Sequence, residues 1–366
     1  MTNIPYVNLG LQAKEIMGEL LAGVQRVLEG GHYVLGPEVS AFETAFASYC
    51  GSPHAVGVSN GTSALYLVLK AIGLKEGDEV ITAPNSFIAS ATAISLAGGR
   101  PVFADIGEDL NIDPARLEAA ITSRTRAILP VHLTGRPARM QDIMDIARRK
   151  DLFVLEDGAQ AVGASLNGKR VGSWGDACGF SLHPLKNLHA FGDAGVTTCA
   201  DSKLTETIKK ARNLGFRTRD ILEFPSTNDR LDELQAALLN VQLAHLARWT
   251  DERRRQAFRY NEALKSCVSV PTEGPGEYCV YQTYVIQADR RDELQKYLVD
   301  AGVEAKVHYP IPIHLQEAYR HLGYADADFP GTQRALKRIL SLPLYQGLGD
   351  ANQQQIIDLI RSFYAG

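Results

Sequence analysis

The 366-residue sequence has no long apolar run and no excess of charge of one sign. No stretch approaches the roughly twenty apolar residues that a membrane-spanning helix needs, and the N-terminus shows no secretory signal, so no membrane association is expected. The formal net charge is -4 and no lysine- or arginine-rich stripe is present, which argues against nucleic-acid binding. The basic run DERRRQ (251 to 256) is expected to be a solvated helical face.

Cysteine is scarce and unpatterned. The five cysteines are odd in number and none has CxxC spacing: Cys50, Cys178, Cys199, Cys267 and Cys279. A disulfide framework and a zinc site are therefore not expected, and a reducing cytoplasm is the expected location.

The familiar phosphate motifs are also missing. The sequence has no GxGxxG fingerprint, which argues against a Rossmann dehydrogenase. GASLNGKR (163 to 170) nearly matches a nucleotide-binding loop, but Arg170 occupies the position of the magnesium-binding hydroxyl and no helical pattern follows. The Asn167-Gly168 pair predicts a hairpin turn instead.

Strand and helix patterns alternate between residues 55 and 200. The runs AVGVS, DEVITAP, PVFADI, AILPVHL and LFVLED read as buried strands, with helical spacing of apolar residues between them. This alternation predicts an α/β fold with a mostly parallel sheet covered on both faces. A long helical pattern (230 to 265) then leads into a small α+β unit, so we place a large domain at 1–245 and a small one at 246–366.

Two residues carry the chemical hypothesis. Asp157 closes the strand LFVLED, and Lys186 lies about thirty residues later in a glycine-flanked loop. A carboxylate that keeps a pyridine nitrogen protonated, together with a lysine that forms an imine, is the minimum set for pyridoxal phosphate (PLP) chemistry. The alternatives are an ion-paired aspartate and an exposed loop lysine. Glu156 points to the opposite strand face and is expected to be structural.

Other residues can complete a cofactor site around that pair. Gly61, Thr62 and Ser63 begin a helix, where free amides and hydroxyls accept a phosphate, and Ser181 can add a hydroxyl. Serine and threonine at a helix start are also ordinary caps. Gln160 can hydrogen-bond the ring oxygen. Phe87 follows a strand and can stack on the ring, although a core phenylalanine is the ordinary alternative.

The order of motifs resembles the sugar aminotransferase family typified by DegT, DnrJ and StrS over essentially the whole chain. The matching stretches are GHYVLGPEVSAFETAFASYCG, VSNGTSAL, GDEVITAPNSF, PVFADI, LEDGAQAVGA, FSLHPLKNL, FGDAG, NDRLDELQAALL and HYPIPIH. The resemblance implies the PLP-dependent aminotransferase fold, fold type I, in a homodimer with active sites at the subunit interface.

The same resemblance implies roles for individual residues. Lys186 would be the imine lysine and general acid/base. The cofactor would be bound by Gly61, Thr62, Ser63, Phe87, Asp157, Gln160, Ser181 and by Asn228, which reaches the phosphate in the neighbouring subunit. Some members carry histidine in place of the lysine and are dehydratases; Lys186 therefore favours transamination.

The implied substrates are L-glutamate as amino donor and a keto-sugar nucleotide, most closely a 3-keto-6-deoxyhexose linked to dTDP or UDP. His183, His308, Tyr309 and His314 are the candidate substrate-binding residues, and structural roles are the alternative for each. His183 occupies a position where such members often carry tyrosine, so the identity of the sugar is not determined. The alternatives are a 4-keto sugar nucleotide, a non-nucleotide keto-sugar or cyclitol, and a non-catalytic regulatory or sensor protein. No metal is expected.

Overall fold

A seven-stranded sheet forms the centre of the protein. The structure is a computed structural model that describes residues 3–366. The described chain has fourteen strands, seven of which form this sheet: β1 (His54–Val58), β2 (Glu79–Thr82), β3 (Arg100–Phe103), β4 (Thr125–Leu129), β5 (Phe153–Asp157), β6 (Ser165–Leu166), β7 (Lys169–Arg170), β8 (Ala177–Ser181), β9 (Gly195–Cys199), β10 (Phe216–Thr218), β11 (Ile221–Leu222), β12 (Glu277–Tyr278), β13 (Tyr284–Gln287) and β14 (Ile339–Leu342).

Helices cover this sheet, and the rest of the described chain consists of further helices and three smaller sheets, β10-β11, β12-β6-β7 and β13-β14. The helices are α1 (Leu9–Glu15), α2 (Met17–Gly30), α3 (Pro37–Cys50), α4 (Gly61–Ala71), α5 (Ala89–Leu96), α6 (Pro114–Ala119), α7 (Met140–Lys150), α8 (Ser202–Ala211), α9 (Glu233–Leu264), α10 (Arg291–Asp300), α11 (Pro330–Arg338) and α12 (Asp350–Ala365). Short 3-10 turns occur at Leu133–Gly135, Ile313–Leu315, Glu317–Leu322 and Asp326–Asp328.

The large sheet has the strand order β1-β9-β8-β5-β4-β2-β3. Strands β2 to β5 and β8 pair in parallel, and β9 runs antiparallel to both of its neighbours. The predicted mostly parallel α/β sheet is therefore confirmed, and its first five strands are the five apolar runs. The predicted Asn167-Gly168 turn is also confirmed, since β6 and β7 form a hairpin around it.

Strands β8 and β9 were not predicted, because their sequences ACGFS and GVTTC contain small and hydroxyl-bearing residues in place of an apolar run. The small residues allow close packing. A side chain at Gly179 would lie 2.7 Å from Leu65 of α4, and one at Gly195 would lie 2.3 Å from the carbonyl oxygen of Asn60. Glycine at these two positions brings the first turn of α4 against the ends of β8 and β9.

The small C-terminal domain has its own core, formed mainly by α10, α12, β13 and β14. The 32-residue helix α9 runs from the large domain into this core, so the proposed boundary at residue 245 falls inside a continuous helix. Two other segments cross that division. Ile4 packs in the small-domain core, whereas the 313–329 segment packs against Phe103 of the large sheet.

Within residues 3–366, no helix has both the length and the apolar character to cross a membrane. The same part of the chain contains no group of three or more His, Cys, Asp or Glu side chains placed to hold a metal ion. All five cysteines are free thiols.

A buried carboxylate joins the start of α9 to the start of α3. Glu233 is 1% exposed. It accepts hydrogen bonds from the backbone N–H groups of Gly36 (2.9 Å), Glu38 (2.5 Å) and Val39 (3.3 Å). These are donors that the first turn of a helix cannot satisfy internally.

Glu233→Ala is expected to lower the free energy of unfolding by about 3 kcal/mol, because it leaves several buried N–H groups without an acceptor. Urea denaturation of both proteins measures this change. Glu206→Ala is the matched control, since Glu206 is exposed and, within residues 3–366, its side chain bonds only Lys209; it should change stability by no more than about 0.5 kcal/mol. Equal effects of the two substitutions would contradict this account of Glu233.

Candidate active site

A cavity of about 720 Å³ lies at the carboxyl ends of β5 and β8 and the start of α4, and the small domain closes its far side. All but two of the candidate residues line it: Gly61, Thr62, Ser63, Phe87, Asp157, Gln160, Ser181, His183, Lys186, His308 and Tyr309. Asn228 and His314 lie elsewhere. The sheet topology thus brings together residues that are up to 248 positions apart in the chain (309 minus 61).

Asp157 ends β5 with its carboxylate held at both oxygens. Ser90 donates its hydroxyl to Oδ2 at 2.7 Å, and the N–H of Ala159 donates to Oδ1 at 3.1 Å. Burial raises the pKa of Asp157, while the Ser90 and Ala159 hydrogen bonds and the charge of Lys186 act in the opposite direction. The result is a fixed, desolvated carboxyl group at the wall of the cavity.

Glu156, one residue earlier, faces the protein interior and is fully buried. Its carboxylate accepts backbone N–H groups of Trp174 and Gly175, each at 3.0 Å, and lies 3.0 Å from Nε2 of His132. The Nδ1 atom of His132 accepts the N–H of Ala138, so Nε2 carries the proton toward Glu156. The expected structural role of Glu156 is confirmed.

Lys186 lies in the loop after β8, where its backbone N–H bonds the carbonyl of His183 at 2.8 Å. Burial lowers the pKa of the Lys186 amine to about 8, and the charge of Asp157 acts in the opposite direction. A larger fraction of this amine is therefore neutral near physiological pH than for an ordinary lysine, and the neutral form is the nucleophile.

Gln160 connects the two domains across the cavity. Its Oε1 accepts the N–H of Thr134 at 2.7 Å, and its Nε2 donates to the Tyr309 hydroxyl at 3.0 Å. Tyr309 has a left-handed backbone (φ 54°) and its ring lies 5.9 Å from the ring of Phe87. Burial raises the pKa of Tyr309 to about 12, so its hydroxyl stays protonated.

The first turn of α4 presents free donors to the cavity. Asn60 caps the helix by accepting the N–H of Ser63 at 2.8 Å. Among the described residues, the N–H groups of Gly61 and Thr62 have no protein acceptor. A side chain at Gly61 would lie 2.6 Å from Cβ of Ser181, so only glycine allows this close approach. These donors form a cradle suited to an anion.

Ser63 differs from its neighbours in this cradle. Its N–H is taken by Asn60, and its hydroxyl donates to Oδ1 of Asp229 at 2.6 Å. Both donors of Ser63 are therefore used inside the protein. The hydroxyls of Thr62 and Ser181 remain as the side-chain donors of the cradle.

The histidines of HYPIPIH separate in the fold. His308 lines the cavity, with Nδ1 2.8 Å from the Ser341 hydroxyl and its ring 5.4 Å from that of Tyr6. Burial lowers the pKa of His308 to about 4, assisted by the charges of Lys306 and Lys186. It is therefore a neutral polar group at physiological pH.

His314 is 1% exposed and lies behind the cavity wall, 4.5 Å from the ring of Phe329 and 6.4 Å from that of Phe103. In the described chain neither ring nitrogen has a hydrogen-bond partner. Its placement gives no support to a substrate contact. His183, in contrast, is exposed at the mouth of the cavity.

Asn228 lines a second, smaller cavity of about 450 Å³ together with Val34 and Arg230. Asp193 belongs to the lining of both cavities, so the two are neighbours. Within its own chain, Asn228 does not reach the cavity that contains Lys186.

Arg253 lines the cavity but was not identified by the sequence analysis. Arg253 is 6% exposed, which corrects the expectation that the whole DERRRQ run is solvated. Its Nε and Nη2 atoms donate to the carbonyl of Tyr281 (3.0 and 2.8 Å), and Nη2 also donates to that of Gln282 (2.8 Å). Burial lowers its pKa to about 10, so the guanidinium stays charged at neutral pH. The helical spacing of apolar residues in α9 was the available signal, since Arg253 lies four residues before Ala257 on the buried face.

Comparison with known proteins explains why these residues line one cavity. The model of the DegT/DnrJ/EryC1/StrS aminotransferase family matches residues 14–361. The chain belongs to that family. It is a PLP-dependent aminotransferase with the fold of the PLP-dependent sugar aminotransferases.

Its relatives include transaminases and proteins with regulatory names. It is 41% identical to the "pleiotropic regulatory protein" of Geobacillus stearothermophilus, covering 99% of both chains. It is 39% identical to dTDP-3-amino-3,4,6-trideoxy-alpha-D-glucose transaminase of Streptomyces venezuelae, covering 98% of this chain and 96% of the relative. The crystal structure of S. venezuelae DesV in complex with a ketimine intermediate superposes with a TM-score of 0.98 at 39% identity, over 100% of both chains.

The lowered pKa of Lys186 is directly testable. The rate at which cofactor-free protein captures PLP at this amine should rise with pH and level off above about 8. An unperturbed lysine would continue to gain reactivity up to a pKa of about 10.4. Stopped-flow absorbance measures the rate, and Lys186→Ala is the control that should show no capture. An inflection near 10 would contradict the effect of burial.

Proposed function

We propose that this aminotransferase moves an amino group from L-glutamate to a 3-keto-sugar linked to dTDP or UDP. The convergence of Lys186, Asp157 and Gln160 in one cavity is the observation that supports PLP-dependent amino transfer. The relatedness to a dTDP-amino-sugar transaminase over nearly the whole chain supports a substrate of the same class.

The residues present fit PLP. Gly61 and Thr62 have free N–H groups, and the glycine leaves room for a group between α4 and Ser181. Asp157 would face the ring nitrogen, Gln160 the ring oxygen and Phe87, which is 54% exposed, one ring face. When bound, PLP supplies an aldehyde for the lysine amine and a protonated ring that stores the electron pair of a substrate carbon.

Lys186 has two roles in this proposal. Its neutral amine is the nucleophile that anchors the cofactor, and the same nitrogen afterwards accepts and returns a proton. A pKa near 8 suits both tasks, because each protonation state is populated near neutral pH. Asp157, held by Ser90 and Ala159, stabilises positive charge in the cavity without moving.

The far side of the cavity offers groups for the substrates. Its volume of about 720 Å³ lies within the range for small-molecule sites. Arg253 supplies a buried positive charge, which favours anionic ligands such as a dicarboxylic amino acid. His183, neutral His308 and the protonated Tyr309 hydroxyl offer donors and acceptors for sugar hydroxyls. His314 would act only through the packing of Phe329 and Phe103.

We also propose a homodimer with shared active sites. Met17, Leu21 and Leu28 are 45%, 60% and 57% exposed on one face of α2, which is unusual for an unpartnered surface. Val34 of the second cavity is also half exposed. In such a dimer, the family resemblance implies that Asn228 reaches the cofactor phosphate of the partner. A reducing cytoplasm suits the five free thiols.

A substrate panel tests the function. With glutamate as donor, 3-keto nucleotide sugars should restore the absorbance of the lysine-bound cofactor in protein that glutamate has converted to the amine form. Lys186→Ala should bind the cofactor weakly and show neither the absorbance nor turnover, because it lacks both nucleophile and base.

Three other outcomes would replace the proposed function with one of its alternatives. Faster reaction with a 4-keto nucleotide sugar would change the position of amination. Reaction only with a free keto-sugar or cyclitol would exclude the nucleotide. No consumption of glutamate with any ketone would favour the regulatory function suggested by the name of the Geobacillus relative.

A further inference from the structure

The carboxylate of Asp229 lies near the phosphate cradle, but phosphate binding within its own subunit does not explain its hydrogen bonds. Asp229 follows Asn228, and its Oδ1 accepts the hydroxyls of Ser63 at 2.6 Å and Ser59 at 2.9 Å. Its Oδ2 accepts the hydroxyl of Thr227. Three hydroxyl protons therefore point at a single carboxylate.

This arrangement removes donors from the anion site. A hydroxyl has one proton, so Ser59 and Ser63 cannot donate to a phosphate oxygen while they donate to Asp229. The negative charge of a carboxylate beside the cradle also repels a phosphate bound there. Recognition of the anion in its own subunit therefore does not account for Asp229.

The hydrogen bonds of Asp229 instead connect residues 228–230 to the end of β1 and to the first turn of α4. Its carbonyl accepts the N–H of Ser59 at 2.9 Å, and Arg230 bridges to Val58 at the end of β1. The backbone bridges set the register of residues 228–230, and the carboxylate adds charge-assisted hydrogen bonds to the first turn of α4. The segment that carries Asn228 is thereby attached to the helix that forms the cradle.

Asn228 itself is exposed and faces the second cavity, away from Lys186 of its own chain. On the basis of the shared-site homodimer proposed above, we propose that Asp229 is a positioning residue that acts across the subunit interface. It holds Asn228 in place for the partner's cofactor phosphate. The same carboxylate links the cradle of one subunit to the phosphate contact of the other.

Mixed dimers with two affinity tags separate action within a subunit from action across the interface. In each dimer, Lys186→Ala in one subunit leaves a single cavity that can bind PLP through lysine. In the first arrangement Asp229→Asn is placed in the Lys186→Ala subunit, opposite the intact cavity. In the second it is placed in the subunit that owns the intact cavity. A dimer without the Asp229 change is the reference.

The readout is the PLP dissociation constant of the intact cavity, followed by the absorbance of the lysine-bound cofactor. The first arrangement should weaken binding roughly tenfold relative to the reference, as expected for the loss of about one charge-assisted hydrogen bond. The second should bind PLP no more weakly than the reference, because in its own subunit the change removes only a charge that repels the phosphate. Equal weakening in both, weakening in the second alone, or no change in either would overturn the role of Asp229.

Two further substitutions distinguish the proposed positioning role of Asp229 from a general effect on folding. Ser63→Ala removes one bond to Asp229 and should act across the interface in the same direction, with a smaller change. Thr62→Ala removes a free donor of the cradle and should show the opposite pattern, weakening only the cavity of its own subunit. The reverse pattern for either variant would overturn the inference. Absence of the lysine-bound band in the reference dimer would instead overturn the proposed function.

Discussion

The chemistry of this protein depends on the enclosure of an amine and a carboxyl group in one cavity. Burial disfavours the charged forms of both Lys186 and Asp157, and their mutual attraction opposes that effect. For Lys186 the balance gives a pKa of about 8, which leaves the amine available as nucleophile and base. For Asp157, the bonds from Ser90 and Ala159 hold the carboxyl group in position. An amine in open solvent would lack this reactivity.

Strands β8 and β9, which lack an apolar run, allow the sheet to form this closed cavity. Gly179 and Gly195 allow α4 to approach β8 and β9, and Gly61 in turn approaches Ser181. The anion cradle at the start of α4 consequently lies on the same cavity as Lys186, which follows β8. The small domain completes the wall through Tyr309, whose hydroxyl bonds Gln160 of the large domain. The cavity is thus formed by packing between parts of the chain that are distant in sequence.

Much of this arrangement could be predicted from the sequence because it is local. Apolar runs identify β1 to β5, and the edge of a parallel sheet identifies Asp157 as a residue that faces a ligand. Lys186 and Gly61 stand out by the character of the loops that contain them. The resemblance of ordered motifs extends these assignments to the fold and the cofactor, both of which are confirmed.

The remaining features depend on contacts between distant segments. Ser90 bonds Asp157 across 67 positions, and Ser63 donates to Asp229 across 166, so no local pattern reveals that Ser63 has no donor left. Arg253 is buried by the segment that contains Tyr281, although its neighbours are mostly charged. His314 belongs to the same short motif as His308, yet the 3-10 turn at Ile313–Leu315 places it behind the wall.

The most direct measurement is borohydride reduction of the PLP-loaded protein, followed by peptide mapping. Reduction makes a lysine–cofactor bond permanent, so the site of attachment is recorded by mass. If the buried amine described here is the anchor, one cofactor per chain will be found on the peptide that contains Lys186. Stable attachment to a different lysine, or no attachment at all, would contradict the account.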